Sequence, residues 1–246
     1  MIPLHDDNPT ELKPYVTVAI IVICSLVFLW EESLVPARLQ QAVYAFGFTP
    51  AVLFGKAQLP PELALIPPEA AIFTSMFLHG GWMHIIGNML YLWIFGNNVE
   101  DAMGHGRFVV FYLVCGVAAA LGQAFWEPGS TIPTIGASGA IAGVLGAYLI
   151  LFPHARVMVI IPLGIFSRVL WVPAVLVLGL WIGLQLLQGA LAPTGVGGVA
   201  YWAHIGGFVA GAILIVPFRR RGVMLFHPGR PHQGGGRGPW ARGPWG

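Results

Sequence analysis

The chain alternates long apolar runs with short breaks marked by proline, glycine or charge. The runs have the length of membrane crossings. Six stand out, at residues 15–30, 82–99, 108–126, 135–152, 169–187 and 199–218. About 20 apolar residues carry an α-helix across a hydrocarbon core roughly 30 Å thick. The pattern therefore predicts an all-α membrane protein of six transmembrane helices. A seventh run, 157–166, is too short to cross and contains Pro162, which places it at an interface or inside a connection.

Composition agrees with that solvent. The chain is 57% hydrophobic and 9% charged, where a soluble domain carries roughly 25% charged residues. Its 246 residues accommodate the six spans and two tails but no second folded domain. The expected division is an N-terminal tail at 1–14, a six-helix domain at 15–218 and a disordered basic tail at 219–246. That last tail is rich in Gly, Pro and Arg and repeats Arg-Gly-Pro-Trp at 237–240 and 242–245. The first tail sets Asp6, Asp7 and Glu11 against Lys13, the wrong charge for a signal peptide, so the first span is expected to be retained. Cys24 and Cys115 fall mid-span, where a thiol behaves as a small hydrophobe.

Charge orients the spans. With six crossings, one face holds Lys13, Arg107, Arg156, Arg168, Arg219, Arg220, Arg221, Arg230, Arg237 and Arg242. The other holds only Arg38 and Lys56, both in the long first loop at 31–81. Positive residues accumulate on the cytoplasmic side, so both termini are expected there and the host is expected to be the plasma membrane. Within the first loop, 39–53 reads as an amphipathic segment at the outer interface.

Ionisable and polar groups inside spans are costly and point to function. His84 and Asn88 lie four apart on one face of the second helix. Ser138 opens the fourth and His204 the sixth. Even-numbered helices run inward, so these groups share a depth near the outer face. Helix four carries Gly136, Gly139 and Gly143, and helix six carries Ala203, Gly207 and Gly211. Small residues four apart let two backbones approach closely, which brings Ser138 toward His204. Taken singly, a small-residue face reports only packing, and a lone histidine equally suits a structural bond or a proton path. Agreement in depth and face favours catalysis.

These pieces, His84-Ile-Ile-Gly-Asn88, Gly136-Ala-Ser138-Gly139 and His204 with Gly207 and Gly211, resemble the rhomboid family of intramembrane serine proteases. Their order and spacing match over roughly 15–218. The resemblance implies a six-helix bundle with a short central serine helix beneath a water-filled cavity open to the outside. It also implies substrates that are single-pass membrane proteins, cut in or near their transmembrane helix. Two features depart from the family's pattern. The first loop lacks a Trp-Arg pair, and Ala142 stands where many members place an aromatic ring against the histidine, so neither device operates here.

Acyl transfer needs a nucleophile, a base and oxyanion donors. Ser138 is the expected nucleophile and His204 the base, with His84, Asn88 and the Ser138 N–H as oxyanion donors. No acidic residue follows Glu127, and Glu100 and Asp101 lie a membrane thickness from His204, so a dyad is expected instead of a triad. His79, Asn88, Gln185 and Gln188 are candidates to line a water route, and the Gly-rich loop 189–198 is expected to lie over the site. No metal, cofactor or nucleic acid is expected; the partners are the bilayer and substrate helices. The rival readings are a catalytically silent binder of membrane helices and a proton-coupled transporter. The second is disfavoured because no intramembrane acid or internal repeat is evident.

Overall fold

The computed structural model describes residues 2–228 apart from 164, 165 and 194; most of the C-terminal tail therefore lies outside the described residues. The described chain is mostly helical. Each predicted run contains one long helix: α1 (Tyr15–Ser33), α5 (Trp82–Met103), α6 (His105–Trp126), α7 (Ser138–Leu151), α8 (Ala174–Leu191) and α9 (Tyr201–Phe218). Of these, α1, α6, α8 and α9 are long and apolar enough to cross a membrane. His84, Asn88, Asn97 and Asn98 dilute the apolar character of α5, and α7 has only 14 residues. The first loop is structured, with short helices α2 (Pro36–Phe46), α3 (Pro50–Leu53) and α4 (Pro68–Thr74). Each starts on a proline, whose fixed φ suits the first helical turn.

The start of the fifth span needs correction, and the short run before it lies in a connection, as expected, with the form of a strand. The fifth helix begins at Ala174, not at 169. The residues before it form β3 (Phe166–Pro173), paired antiparallel with β2 (Arg156–Leu163). The run 157–166 is thus mostly a strand in the connection between α7 and α8. The N-terminal segment adds β1 (Ile2–Asp6) to the free side of β2, giving a sheet of order β1-β2-β3. β-Branched residues at Val157, Val159, Ile160 and Ile161 suit a strand, and Val157 and Val159 are fully buried against the helices.

Helix α7 is the centre of the bundle. Every residue from Gly139 to Tyr148 is buried, as is Leu151. Its core neighbours include Phe95, Phe108, Phe111, Tyr112, Leu178 and Ile215. At 1.5 Å per residue it is about 21 Å long, against about 33 Å for its 22-residue neighbours.

Residues assigned to one face by charge meet at one end of the bundle. Glu100, fully buried on α5, accepts hydrogen bonds from the Val16 and Thr17 N–H groups and the Thr17 hydroxyl at 2.7–2.9 Å, satisfying the free donors that open α1. Its other neighbour is His105 Nδ1, at 2.6 Å. Asp101 accepts from Glu11 N–H and Arg220. At the opposite end, Glu31 accepts from the His79 N–H at 3.0 Å and Glu32 from the Trp82 indole at 3.0 Å. Those bonds tie the two ends of the first loop together, at the C-terminus of α1 and the start of α5. The Phe48–Thr134 bridge and the Gly136 N–H donated to Ser75 O at 2.8 Å then join the first loop to the segment that leads into Ser138.

Candidate active site

Helix α7 meets α9 backbone to backbone. A Cβ on Gly207 or Gly211 would collide with the carbonyls of Gly139 and Gly143 respectively. The other sides of Gly139 and Gly143 press on Ala119 and Cys115 of α6, so these glycines serve two interfaces at once. Gly136 differs from the expectation. It lies before the helix at φ 123°, and a Cβ there would stand 2.7 Å from the His84 ring. It is a turn residue that admits the imidazole, not a helix-packing residue.

The close crossing brings the serine and histidine together. Ser138 Oγ and His204 Nε2 are 2.8 Å apart, and His204 is 9% exposed. The other ring nitrogen, Nδ1, lies 2.7 Å from Gln185 Oε1 on α8. An amide oxygen only accepts, so Nδ1 carries the proton and Nε2 presents its lone pair to the serine hydroxyl. One turn earlier on the same face of α8, Trp181 lies against the histidine ring, with centroids 5.8 Å apart and planes inclined by 34°. Gln185 thus touches the histidine and is not merely a wall of a water route. Gln188 is exposed.

His84 and Asn88 face the same cavity. The Gly80 N–H donates to His84 Nδ1 at 3.2 Å, which leaves the proton on Nε2, the atom beside Gly136. Asn88 is buried, and its Nδ2 makes no hydrogen bond among the described residues. The N–H of Ser138, first residue of α7, has no i−4 helical carbonyl to meet. His84, Asn88 and Ser138, each bearing an N–H donor, thus line one cavity. His79 does not line the space as expected. It is buried behind His84, with ring centroids 5.2 Å apart. Burial, with His84 adding to it, pushes its pKa down to about 4, so it is neutral near pH 7.

The cavity measures about 650 Å³ and is lined by His84, Asn88, Ser138, Trp181 and His204 among others. The described part of loop 189–198 contributes Pro193, Val196, Gly197 and Gly198 to its wall. Glu127 holds that loop by accepting the Gly195 N–H at 3.0 Å, and Trp126 stacks on Trp202 at 3.9 Å below it. Among the described residues there is no cluster of side chains able to hold a metal ion.

A serine hydroxyl in contact with a histidine ring nitrogen, in a cavity that His84 and Asn88 also line, is an arrangement suited to acyl transfer. Residues 69–221 match the Rhomboid domain family. The chain is similar to Rhomboid protein 1, mitochondrial, of Saccharomyces cerevisiae, 30% identical over 191 residues covering 70% of this chain and 51% of that protein. It is similar to Rhomboid protease GluP of Bacillus subtilis, 33% identical over 147 residues covering 59% of this chain and 26% of that protein. Rhomboid-like protein 11, chloroplastic, of Arabidopsis thaliana is 26% identical over 156 residues, 58% of this chain and 50% of that protein. The chain spans about half the length of the first and third of these relatives, and about a quarter of the second. With the domain match covering more than half of its residues, this membrane protein belongs to the rhomboid family.

Proposed function

We propose that the chain is an intramembrane serine endopeptidase that cuts single-pass membrane proteins in or near their transmembrane helix. The observation that carries this reading is the 2.8 Å contact between Ser138 Oγ and His204 Nε2 inside the cavity. His204 takes the hydroxyl proton as Ser138 attacks the scissile carbonyl, then gives it to the leaving amine. The oxyanion is met by His84 Nε2–H, Asn88 Nδ2–H and the Ser138 N–H. Water then enters by the same cavity, is deprotonated by His204, and releases the acyl group from Ser138.

In this reading all six long helices cross the bilayer, with the segment before Ser138 completing the crossing of the short α7. The protease domain is 15–218. Both flanking segments, 1–14 and 219–246, face the cytoplasm of a cell whose plasma membrane hosts the protein, as the arginine distribution implies. The lipid bilayer and the substrate helix are the partners, and no cofactor is required by the chemistry.

The test uses purified full-length protein in detergent or liposomes with a fluorophosphonate probe and a single-pass model substrate. Wild type is expected to be labelled and to cleave, and Ser138→Ala and His204→Ala to do neither. Labelling that persists in Ser138→Ala overturns the assignment. A wild-type protein that binds the substrate helix without labelling or cleavage identifies a silent binder instead.

A further inference from the structure

The structure assigns to Gln185, with Trp181 beside it, the task of positioning His204, so that an uncharged amide on α8 takes the place a carboxylate holds in a hydrolytic triad. The inference rests on the proposed protease reading and deepens it. Its basis is geometric. Gln185 Oε1 lies 2.7 Å from His204 Nδ1, and the two side chains come from different helices. Trp181 and Gln185 are four apart, so one face of α8 presents both to the imidazole. Trp181 lies against the ring and also reaches Phe208, one turn on from His204, at 6.1 Å between centroids. Ala142 of α7 cannot supply an aromatic surface, and Trp181 supplies it from α8.

The direction of the amide decides whether the pair is competent. With Oε1 on Nδ1–H, Nε2 is a free base facing Ser138 Oγ–H. A flipped amide would donate its NH2 to Nδ1 and force the proton onto Nε2, so the histidine would donate to the serine and could not accept its proton. Gln185 is thus a positioning residue: it touches neither the serine nor the space where a carbonyl would sit, and it acts through the imidazole tautomer. An amide also avoids the desolvation that an ionised carboxylate suffers inside a bilayer-facing bundle. Among the described residues, His84 of α5 is the titratable neighbour that acts on His204. No acid takes this role.

The experiment compares wild type with Gln185→Leu, Gln185→Glu and, as a control on the same helix, the exposed Gln188→Leu. Cleavage of the model substrate gives kcat and KM, the fluorophosphonate labelling rate gives serine reactivity, and thermal unfolding reports the fold. Gln185→Leu is expected to lose roughly 10-fold in kcat and in labelling rate, with KM and Tm held. Gln188→Leu should change neither. Gln185→Glu keeps the acceptor and cannot flip, so it should restore activity at alkaline pH. Its acid limb should move to higher pH by about one unit or more, because a carboxylate favours the protonated ring. Unchanged kcat and labelling in Gln185→Leu, or loss of activity in Gln185→Glu with no displaced pH profile, overturns the inference. Either result, obtained while wild type labels and Ser138→Ala does not, leaves the protease reading standing. Failure of wild type to label removes the reading on which it rests.

Discussion

Asn88 places its amide in the cavity wall without a protein partner for Nδ2, and Gly136 clears the room that His84 needs beside Ser138. In the proposed mechanism both serve the oxyanion, one as donor and one by yielding space. Asn88→Ala should therefore lower kcat by about 10² to 10³ with little change in KM, the usual cost of one preorganised donor. Gly136→Ala should act through its neighbour. At φ 123° the new side chain is strained, and its Cβ would stand 2.7 Å from the His84 ring. Substrate cleavage should fall more than fluorophosphonate labelling of Ser138, which Ser138→Ala abolishes. The polar residues themselves were legible in the sequence, because an uncompensated serine, asparagine or histidine in an apolar run is rare. What touched what was only half legible. Small-residue spacing pointed α7 at α9, but nothing in the spacing of α8 fixes how it is rotated. Gln185 was therefore visible as a polar residue and invisible as the partner of His204. Gly136 was misplaced for a related reason, since its motif reads the same whether the helix starts at 136 or at 138.

At the scale of elements, two of the contacts that tie the N-terminal part of the chain to the bundle each make a prediction. Glu100 caps α1 from α5, accepting two backbone N–H groups while fully buried. Glu100→Ala leaves those donors unpaired and should lower stability by about 1–3 kcal/mol, read as a drop in Tm or in the denaturant midpoint. The second contact is pH-dependent. Asp6 on β1 is 2% exposed and accepts the Tyr148 hydroxyl at 2.6 Å, near the C-terminal end of α7. Burial raises its pKa from the ordinary 3.8 to about 7, against the opposing pull of that hydrogen bond. The folded carboxyl thus holds its proton where the released one has lost it. Its contribution to docking is complete below about pH 4 and fades as pH rises through 7, by a few kcal/mol at most, roughly. Protection of β1 from proteolysis should weaken from pH 5 to pH 8. Asp6→Asn, which mimics the neutral acid, should remove that dependence. The sheet to which β1 belongs is not legible in the run 157–166, whose length and Pro162 say only that it does not cross the membrane. Its β-branched residues were the available signal, but they suit a buried helix equally until Val157 and Val159 are seen against the core. That the segment before α1 would supply a strand had no local sign, since β1 exists only through its pairing with a hairpin some 150 residues away.

The whole molecule has two ends with different chemistry, and the arrangement extends the charge reading without depending on it. Asp6, Glu100, Asp101, Arg156 and Arg220 gather with the sheet at one end. Glu31, Trp82, Glu127 and the mouth of the cavity gather at the other. Arginine counts along the chain were enough to sort those residues in advance, because helices that alternate in direction carry their loops to alternate sides. Which end faces the cytoplasm is a separate question that the fold alone leaves unchanged on inversion. It can be read by chemistry, since Cys24 and Cys115 are both fully buried and give a quiet background to thiol reagents. Lys56→Cys in the first loop and Arg168→Cys on β3 occupy exposed positions at opposite ends. In intact cells a membrane-impermeant maleimide should modify Lys56→Cys and spare Arg168→Cys until the membrane is opened. The reverse order would invert the protein in its membrane, and the catalytic cavity with it, placing substrate access on the cytoplasmic side while leaving every contact around Ser138 as it stands.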